Sequence, residues 1–183
     1  MSKVNDTKLL KFGKTATRII EVICWVGVAL TLICAIAGII DTAFLQNHLI
    51  ADSGITFNGV QVATADGSHQ FNMAAVLVAL LGGCVALVLM ALMFRNLYHV
   101  LASAETGSPF QQKNVERIER IGWLAIAMPV FGFVLATVFR LLGFEDVDIS
   151  FSLTDLIMGV LVLILSRFFA YGVSLQSDVD GMV

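Results

Sequence analysis

Four long stretches of almost uninterrupted apolar residues dominate the chain, and polar residues cluster between them. A helix that crosses a bilayer needs about 20 consecutive, largely apolar residues. The stretches that meet this requirement cover residues 19–40, 73–94, 121–139 and 153–173. We therefore predict an all-α integral membrane protein, in which residues 1–183 form a single membrane domain with four transmembrane helices in an antiparallel bundle.

The composition supports a protein that faces lipid. Hydrophobic residues make up 58% of the chain and charged residues only 14%, whereas a soluble domain has about 45–50% and about 25%. The first apolar stretch is longer than the core of a signal peptide, which has about 7–15 residues. We therefore expect this stretch to remain in the protein as a transmembrane helix.

Basic residues are concentrated on one side of the predicted bundle. Lys3, Lys8, Lys11, Lys14 and Arg18 precede the first span, and Arg95, Lys113, Arg117 and Arg120 separate the second from the third. Residues 41–72 contain no Lys or Arg. Because basic loops stay in the cytoplasm, we predict a multi-pass membrane protein with both termini cytoplasmic. Loops 41–72 and 140–152 would then be extracellular.

The loop over residues 41–72 contains signals for β-structure. Asn58 and Gly59 lie between alternating β-forming residues, which is typical of a tight hairpin turn. A second turn signal, Asp66 followed by Gly67, comes shortly afterwards. We predict a small β-hairpin or meander that rests on the outer ends of the helices, since an isolated hairpin is only marginally stable in water.

The polar segment between the second and third spans predicts a helical hairpin over residues 95–120. Apolar residues continue at helical spacing past the second span, at Leu97, Leu101 and Ala104, and predict a helix to about Thr106. Gly107 suits a helix C-terminus, Ser108 suits an N-cap, and Pro109 suits the first helical position. Gln111 would complete a capping box with Ser108.

The start of the predicted third helix is the best candidate for a partner surface. Charged residues recur there beside an apolar stripe. The residues that we predict to contact a partner are Pro109, Phe110, Lys113, Asn114, Arg117 and Arg120. The alternative is a connector whose basic residues only contact anionic lipid headgroups.

Four ionisable residues lie within or beside the spans, where charges are costly and often functional. Asp155 is placed to pair with Arg140 near the outer ends of the last two spans. Arg167 lies near the cytoplasmic end of the last span, where it would either extend to the headgroups or pair with Glu21.

The sequence offers no catalytic motif, no cofactor motif and no metal site. Cys24, Cys34 and Cys84 fall inside apolar stretches, and His48 and His69 lack further ligands at useful spacing. We therefore expect a protein that is not an enzyme and that holds no metal or cofactor. Pro129 predicts a kink in the third span, and small residues such as Gly27 and Gly82 predict close helix packing.

Two segments carry distinctive patterns. In GSPFQQKNVERIERIG the pattern comprises Gly107, Pro109, Phe110, Asn114, Ile118, Ile121 and Gly122. In the C-terminal segment it comprises Tyr171, Gly172, Leu175, Gln176 and Asp180. Both patterns resemble those of the bacterial membrane proteins of domain-of-unknown-function family 2975, although Asp178, Gly181 and Met182 depart from the usual tail of the family. The resemblance extends over essentially the whole chain and implies a location in the bacterial plasma membrane. It implies no established activity, but family members are often encoded beside a small helix-turn-helix transcription regulator.

Three functions stay open at this point. The first is an interaction or regulatory module in the bilayer whose cytoplasmic face binds a transcription regulator or another membrane protein, without direct contact to nucleic acid. The second is a small transporter or channel subunit, for which the spans supply few polar residues at mid-membrane depth. The third is an accessory protein for membrane stress or immunity. A homo-oligomer is compatible with each of them.

Overall fold

The computed structural model describes residues 2–41, 55–57, 60–62, 65–66, 70–71, 73–105, 111–141 and 153–180. Four helices account for most of these residues. They are α1 (Ser2–Ile40), α2 (Met73–Glu105), α3 (Gln112–Leu141) and α4 (Leu153–Asp180). Each contains a segment that is long and apolar enough to cross a membrane. The prediction of four helices that are long and apolar enough to cross a membrane is therefore confirmed.

The helices are longer than the apolar stretches that identified them. α1 has 39 residues, which corresponds to about 58 Å at about 1.5 Å per residue, whereas the hydrocarbon core of a bilayer is about 30 Å thick. Its first 17 residues were not predicted to be helical. They contain no proline, so nothing in this stretch interrupts the backbone hydrogen bonds of a helix. α2 ends at Glu105, close to the predicted end at Thr106.

The loop between α1 and α2 contains two separate antiparallel pairs of short strands. β1 (Ile55–Phe57) pairs with β2 (Val60–Val62), with Ile55 opposite Val62. β3 (Ala65–Asp66) pairs with β4 (Gln70–Phe71). No three-stranded meander forms among the described residues. Asn58 and Gly59 lie outside them, so the predicted turn and its packing on the helices remain predictions.

The chain divides into two compact units. The first unit comprises residues 1–23, 89–127 and 153–183, and the second comprises residues 24–88 and 128–152. In the second unit, small residues allow close contact between helices. A Cβ atom at Gly82 would lie 2.6 Å from Leu135 Cδ2, and one at Gly27 would lie 3.1 Å from Leu87 Cδ1. The predicted close packing at both glycines is confirmed.

In the first unit, α3 and α4 also approach closely. A Cβ atom at Gly122 would lie 3.1 Å from the backbone nitrogen of Leu163. One at Gly159 would lie 3.0 Å from the backbone nitrogen of Ile126. The pairing of residues 122 with 163 and 126 with 159 makes the two helices antiparallel.

Most of the apolar surface of the helices is exposed rather than packed against protein. Only 11% of the most apolar window of α4 is buried. Exposed apolar side chains on this helix include Ile157, Leu161 and Phe168. A surface of this kind matches the hydrocarbon interior of a bilayer. α3 continues through Pro129 as one helix, and the predicted kink remains a prediction.

Candidate polar interface

The first unit contains a polar end, which we define as residues 8–21 of α1, 95–105 of α2, 111 and 112–120 at the start of α3, and 166–176 of α4. Its centre is Asn114, whose side chain is only 1% exposed. The Asn114 amide nitrogen donates a hydrogen bond to the Ser103 hydroxyl. That hydroxyl donates to the Val100 carbonyl at 2.8 Å. The contact ties the first turn of α3 to the last turns of α2.

Arg117 adds two further hydrogen bonds to this connection. Its Nη1 atom donates to Asn114 Oδ1 at 3.3 Å and to the His99 carbonyl at 3.4 Å. The His99 ring in turn packs edge-on against Tyr98, with ring centroids 5.5 Å apart. Both sides of the Asn114 amide are thus hydrogen-bonded, which avoids the cost of burying an unsatisfied polar group.

The first turns of α3 have one buried face and one exposed face. The Gln111 carbonyl accepts hydrogen bonds from the backbone nitrogens of Asn114 at 2.8 Å and Val115 at 3.3 Å. Val115 and Ile118 are buried with Asn114. Four polar side chains are exposed: Gln112, Lys113, Glu116 and Arg120. The start of α3 therefore has an exposed polar face next to a buried face.

Charged residues of α1 contact α2 in the polar end. Lys14 Nζ forms an ion pair with Glu105 Oε2, and both side chains are partly exposed. The Arg18 guanidinium lies 5.4 Å from the centre of the Tyr98 ring. Arg18 also pairs with Glu21 at 2.7 Å, and Glu21 is only 5% exposed. The buried carboxylate thus has its partner one turn away on its own helix.

Arg167 joins α4 to α3. Its Nη2 atom lies 3.3 Å from Glu119 Oε1. The predicted pairing of Arg167 with Glu21 is therefore wrong, because Glu21 contacts Arg18 and Arg167 contacts Glu119. Glu119 lies on the neighbouring helix at the same level, which the spacing of single spans did not reveal. The predicted pair of Arg140 and Asp155 remains a prediction.

The structure separates the residues that were predicted to contact a partner. Lys113 and Arg120 are exposed, whereas Arg117 is half-buried. Asn114 is buried and bonded to Ser103 and Arg117, which contradicts its predicted contact with a partner. Pro109 and Phe110 lie outside the described residues, as does the predicted cap at Ser108. α3 begins at Gln112, three residues after the predicted start at Pro109.

Two contributors to the polar end were missed by the sequence analysis. Ser103 looked like an ordinary helix residue, and Tyr98 carried no special signal. Helical spacing from Leu97 and Leu101 describes the apolar face of α2, but not which polar side chains point toward α3. Among the residues that the structure describes, no group of three or more His, Cys, Asp or Glu side chains could hold a metal ion.

A comparison with protein families identifies the family to which the chain belongs. A family model described as a protein of unknown function (DUF2975) matches residues 60–183. The chain belongs to the DUF2975 family. The DUF2975 match includes α2, α3 and α4, and therefore most of the polar end, but not α1, so it is shorter than the whole-chain resemblance predicted. No curated protein and no solved structure matches the chain.

Proposed function

We propose that this DUF2975 protein is a non-enzymatic membrane module that binds a partner protein through the exposed face at the start of α3. We call Gln112, Lys113 and Glu116 the tip face. The observation that carries the proposal is the contrast between this face and its neighbour, where Asn114 is 1% exposed and hydrogen-bonded to α2. A surface that is already fixed loses little conformational entropy when it binds.

The charges of the tip face favour a protein partner over nucleic acid. Lys113 and Glu116 are both exposed on α3 and three residues apart. Residues at this spacing lie on one face of a helix, so the two opposite charges are neighbours. Nucleic acid requires a predominantly basic surface. A protein with complementary charges can use both residues, and such complementarity selects partners and their orientation.

The distribution of basic residues favours a cytoplasmic location for the tip face. Nine of the eleven Lys and Arg residues flank the ends of the spans on the side of the polar end. We therefore propose that both termini and the tip face are cytoplasmic, in a bacterial plasma membrane. This side is the one where a small helix-turn-helix regulator, the partner class implied by the family resemblance, would be present.

The proposal is tested by site-specific photo-crosslinking in cells. A photoreactive amino acid would replace Lys113 in one variant and Glu116 in another. The matched control places it at Lys11, which is exposed on α1 in the same polar end. We expect one discrete adduct with a small DNA-binding protein from both tip-face positions and none from the control. The same adducts, or none, from all three positions would contradict the proposed surface.

A further inference from the structure

At the polar end, each of the four helices carries one exposed arginine near a boundary of its apolar stretch. Arg18 directly precedes the first stretch, Arg95 directly follows the second, and Arg120 directly precedes the third. Arg167 lies near the end of the fourth. All four side chains are exposed. This regularity is not explained by the tip face, which lies nearer the start of α3 than Arg120 does.

Contacts within the first unit show that the four arginines lie at nearly one level. Arg18 packs over the Tyr98 ring. Tyr98 is three residues from Arg95, which separates these two residues by about 4.5 Å along the axis of α2. Arg167 contacts Glu119, the residue next to Arg120. The set is therefore a belt around the first unit rather than four unrelated charges.

Arg95 and Arg120 differ from the other two members of the belt. Arg18 pairs with Glu21 and Arg167 pairs with Glu119. Among the described residues, Arg95 and Arg120 form no ion pair. Glu116 lies one turn from Arg120 on α3, yet no ion pair joins these two described residues. Within the part of the chain that the structure describes, no carboxylate neutralises the guanidinium charge of Arg95 or of Arg120, so both charges can bind an anion.

The two available arginines lie on the same seam between helices. Arg117 of α3 donates to the His99 carbonyl of α2. Arg95 is four residues from His99, and Arg120 is three residues from Arg117, in both cases toward the apolar stretch. Residues at this spacing lie on the same helix face. Arg95 and Arg120 thus flank the α2–α3 seam one turn nearer the apolar stretches.

Aromatic residues mark the same level. Trp123 is 58% exposed and lies three residues from Arg120, and Tyr171 is 65% exposed and lies four residues from Arg167. Exposed Trp and Tyr residues are enriched at the boundary between a bilayer and water. The belt therefore lies where the headgroups of lipids would be.

We propose that Arg95 and Arg120 form a binding site for the phosphate of an anionic phospholipid headgroup at the α2–α3 seam. A guanidinium group matches the oxygens of a phosphate with two parallel hydrogen bonds. Trp123 would then contact the upper part of the acyl chains. The same chemistry could hold free phosphate, but the adjoining apolar surface favours a lipid. This proposal does not depend on the tip face binding a protein.

The test uses Trp123 as a reporter in protein reconstituted into phosphatidylcholine nanodiscs. Trp25→Phe leaves Trp123 as the only tryptophan. Either phosphatidylglycerol or phosphatidylcholine, spin-labelled near the top of one acyl chain, is added in equal trace amounts. We expect spin-labelled phosphatidylglycerol to quench Trp123 more strongly. Arg95→Gln with Arg120→Gln should reduce the relative affinity for phosphatidylglycerol about twenty-fivefold, because each basic residue contributes about fivefold at a membrane surface.

The controls separate lipid binding from general charge effects. Lys8→Gln with Lys11→Gln removes two positive charges from exposed positions of α1 and should keep the preference. Arg95→Gln alone, which leaves Arg120 in place, should lose about fivefold and serves if the double variant does not fold. Equal quenching by both lipids in the reference protein would overturn the proposal. Loss of the quenching preference on adding inorganic phosphate at constant ionic strength would assign the site to free phosphate instead.

Discussion

At the scale of single residues, Asn114 explains why the start of α3 is fixed against α2. Its amide is buried and contacts Ser103 on one side and Arg117 on the other. Loss of a hydrogen bond to a buried amide costs about 1–3 kcal/mol. The hydrogen bonds of Asn114 therefore stabilise the packing of α3 against α2 and also fix the orientation of the tip face.

We predict that Asn114 and Ser103 are energetically coupled. Asn114→Ala and Ser103→Ala should each lower the free energy of unfolding, because each variant removes the hydrogen bond that the Asn114 amide donates to the Ser103 hydroxyl. A double-mutant cycle, measured by unfolding in mild detergent, should give a coupling energy of about 0.5–1.5 kcal/mol. Strictly additive effects would show that the hydrogen bond between the two residues contributes nothing.

The ion pair of Lys14 and Glu105 should contribute much less. Both side chains are partly exposed, at 32% and 26%, and exposed ion pairs typically contribute less than about 1 kcal/mol. We predict that Lys14→Met and Glu105→Gln each change the unfolding free energy by less than Asn114→Ala does. The small effect should shrink further as salt is added, because salt screens exposed charges. A salt-independent loss larger than that of Asn114→Ala would contradict this ranking.

Residue-scale partners were the part of the molecule that the sequence predicted least well. The sequence offered two alternatives for Arg167, extension to the headgroups or a pair with Glu21, whereas in the structure this side chain pairs with Glu119. The choice depends on the rotation of α3 and α4 about their axes, which is set by packing at Gly122 and Gly159. Hydrophobicity alone does not specify that rotation, because all sides of a lipid-facing helix are apolar.

At the scale of elements, the contact between α3 and α4 depends on two glycines with different surroundings from the others. Added Cβ atoms at Gly122 and Gly159 would meet backbone atoms of the neighbouring helix. A Cβ at Gly13 would meet only Leu101 Cδ1, at 3.4 Å. A side chain can move aside, but the backbone of a packed helix can do so only by separating the helices.

We predict that Gly122→Ala and Gly159→Ala destabilise the protein by about 1–3 kcal/mol, as overpacking does. Gly13→Ala is the matched control, since it makes an ordinary contact and gains up to about 1 kcal/mol of helix propensity. Thermal unfolding of the three variants in the same detergent gives the comparison. If Gly122→Ala were as stable as Gly13→Ala, the close approach of α3 and α4 would be wrong.

The elements themselves were largely predictable, except where they leave the apolar stretches. Runs of about 20 apolar residues identified all four helices, and the spacing of Leu97 and Leu101 extended α2 correctly. The extension of α1 before Ile19 was missed because polar and basic residues there carry no span signal. The absence of proline and the apolar residues Leu9, Leu10 and Phe12 were the available clues.

At the scale of the whole molecule, the described helices form a multi-pass membrane protein whose polar contacts include three interhelical links. Lys14 with Glu105 joins α1 to α2, Asn114 with Ser103 joins α2 to α3, and Arg167 with Glu119 joins α3 to α4. Consecutive helices are thus connected within the first unit. The sequence predicted the position of the polar segment between α2 and α3, whereas the three contacts between helices are seen only in the structure.

The proposed orientation makes a prediction about access from the two sides of the membrane. In a variant lacking Cys24, Cys34 and Cys84, a cysteine replacing Lys113 should be protected from a membrane-impermeant thiol reagent added to whole cells. A cysteine replacing Arg140 should react, because basic residues predict the opposite side for it. Labelling of both positions in inverted vesicles and in cells provides the comparison. Reaction at residue 113 in intact cells would reverse the proposed orientation.

The central claim is that the tip face binds a protein partner, and the affinity of that partner measures it most directly. The partner captured by crosslinking at Lys113 would be titrated against the DUF2975 protein in nanodiscs. Lys113→Glu with Glu116→Lys exchanges the two charges without changing the net charge, and we predict at least about a tenfold weaker Kd, equivalent to about 1.4 kcal/mol. Lys11→Glu should leave the Kd unchanged. An unchanged Kd in the exchanged variant would contradict the account.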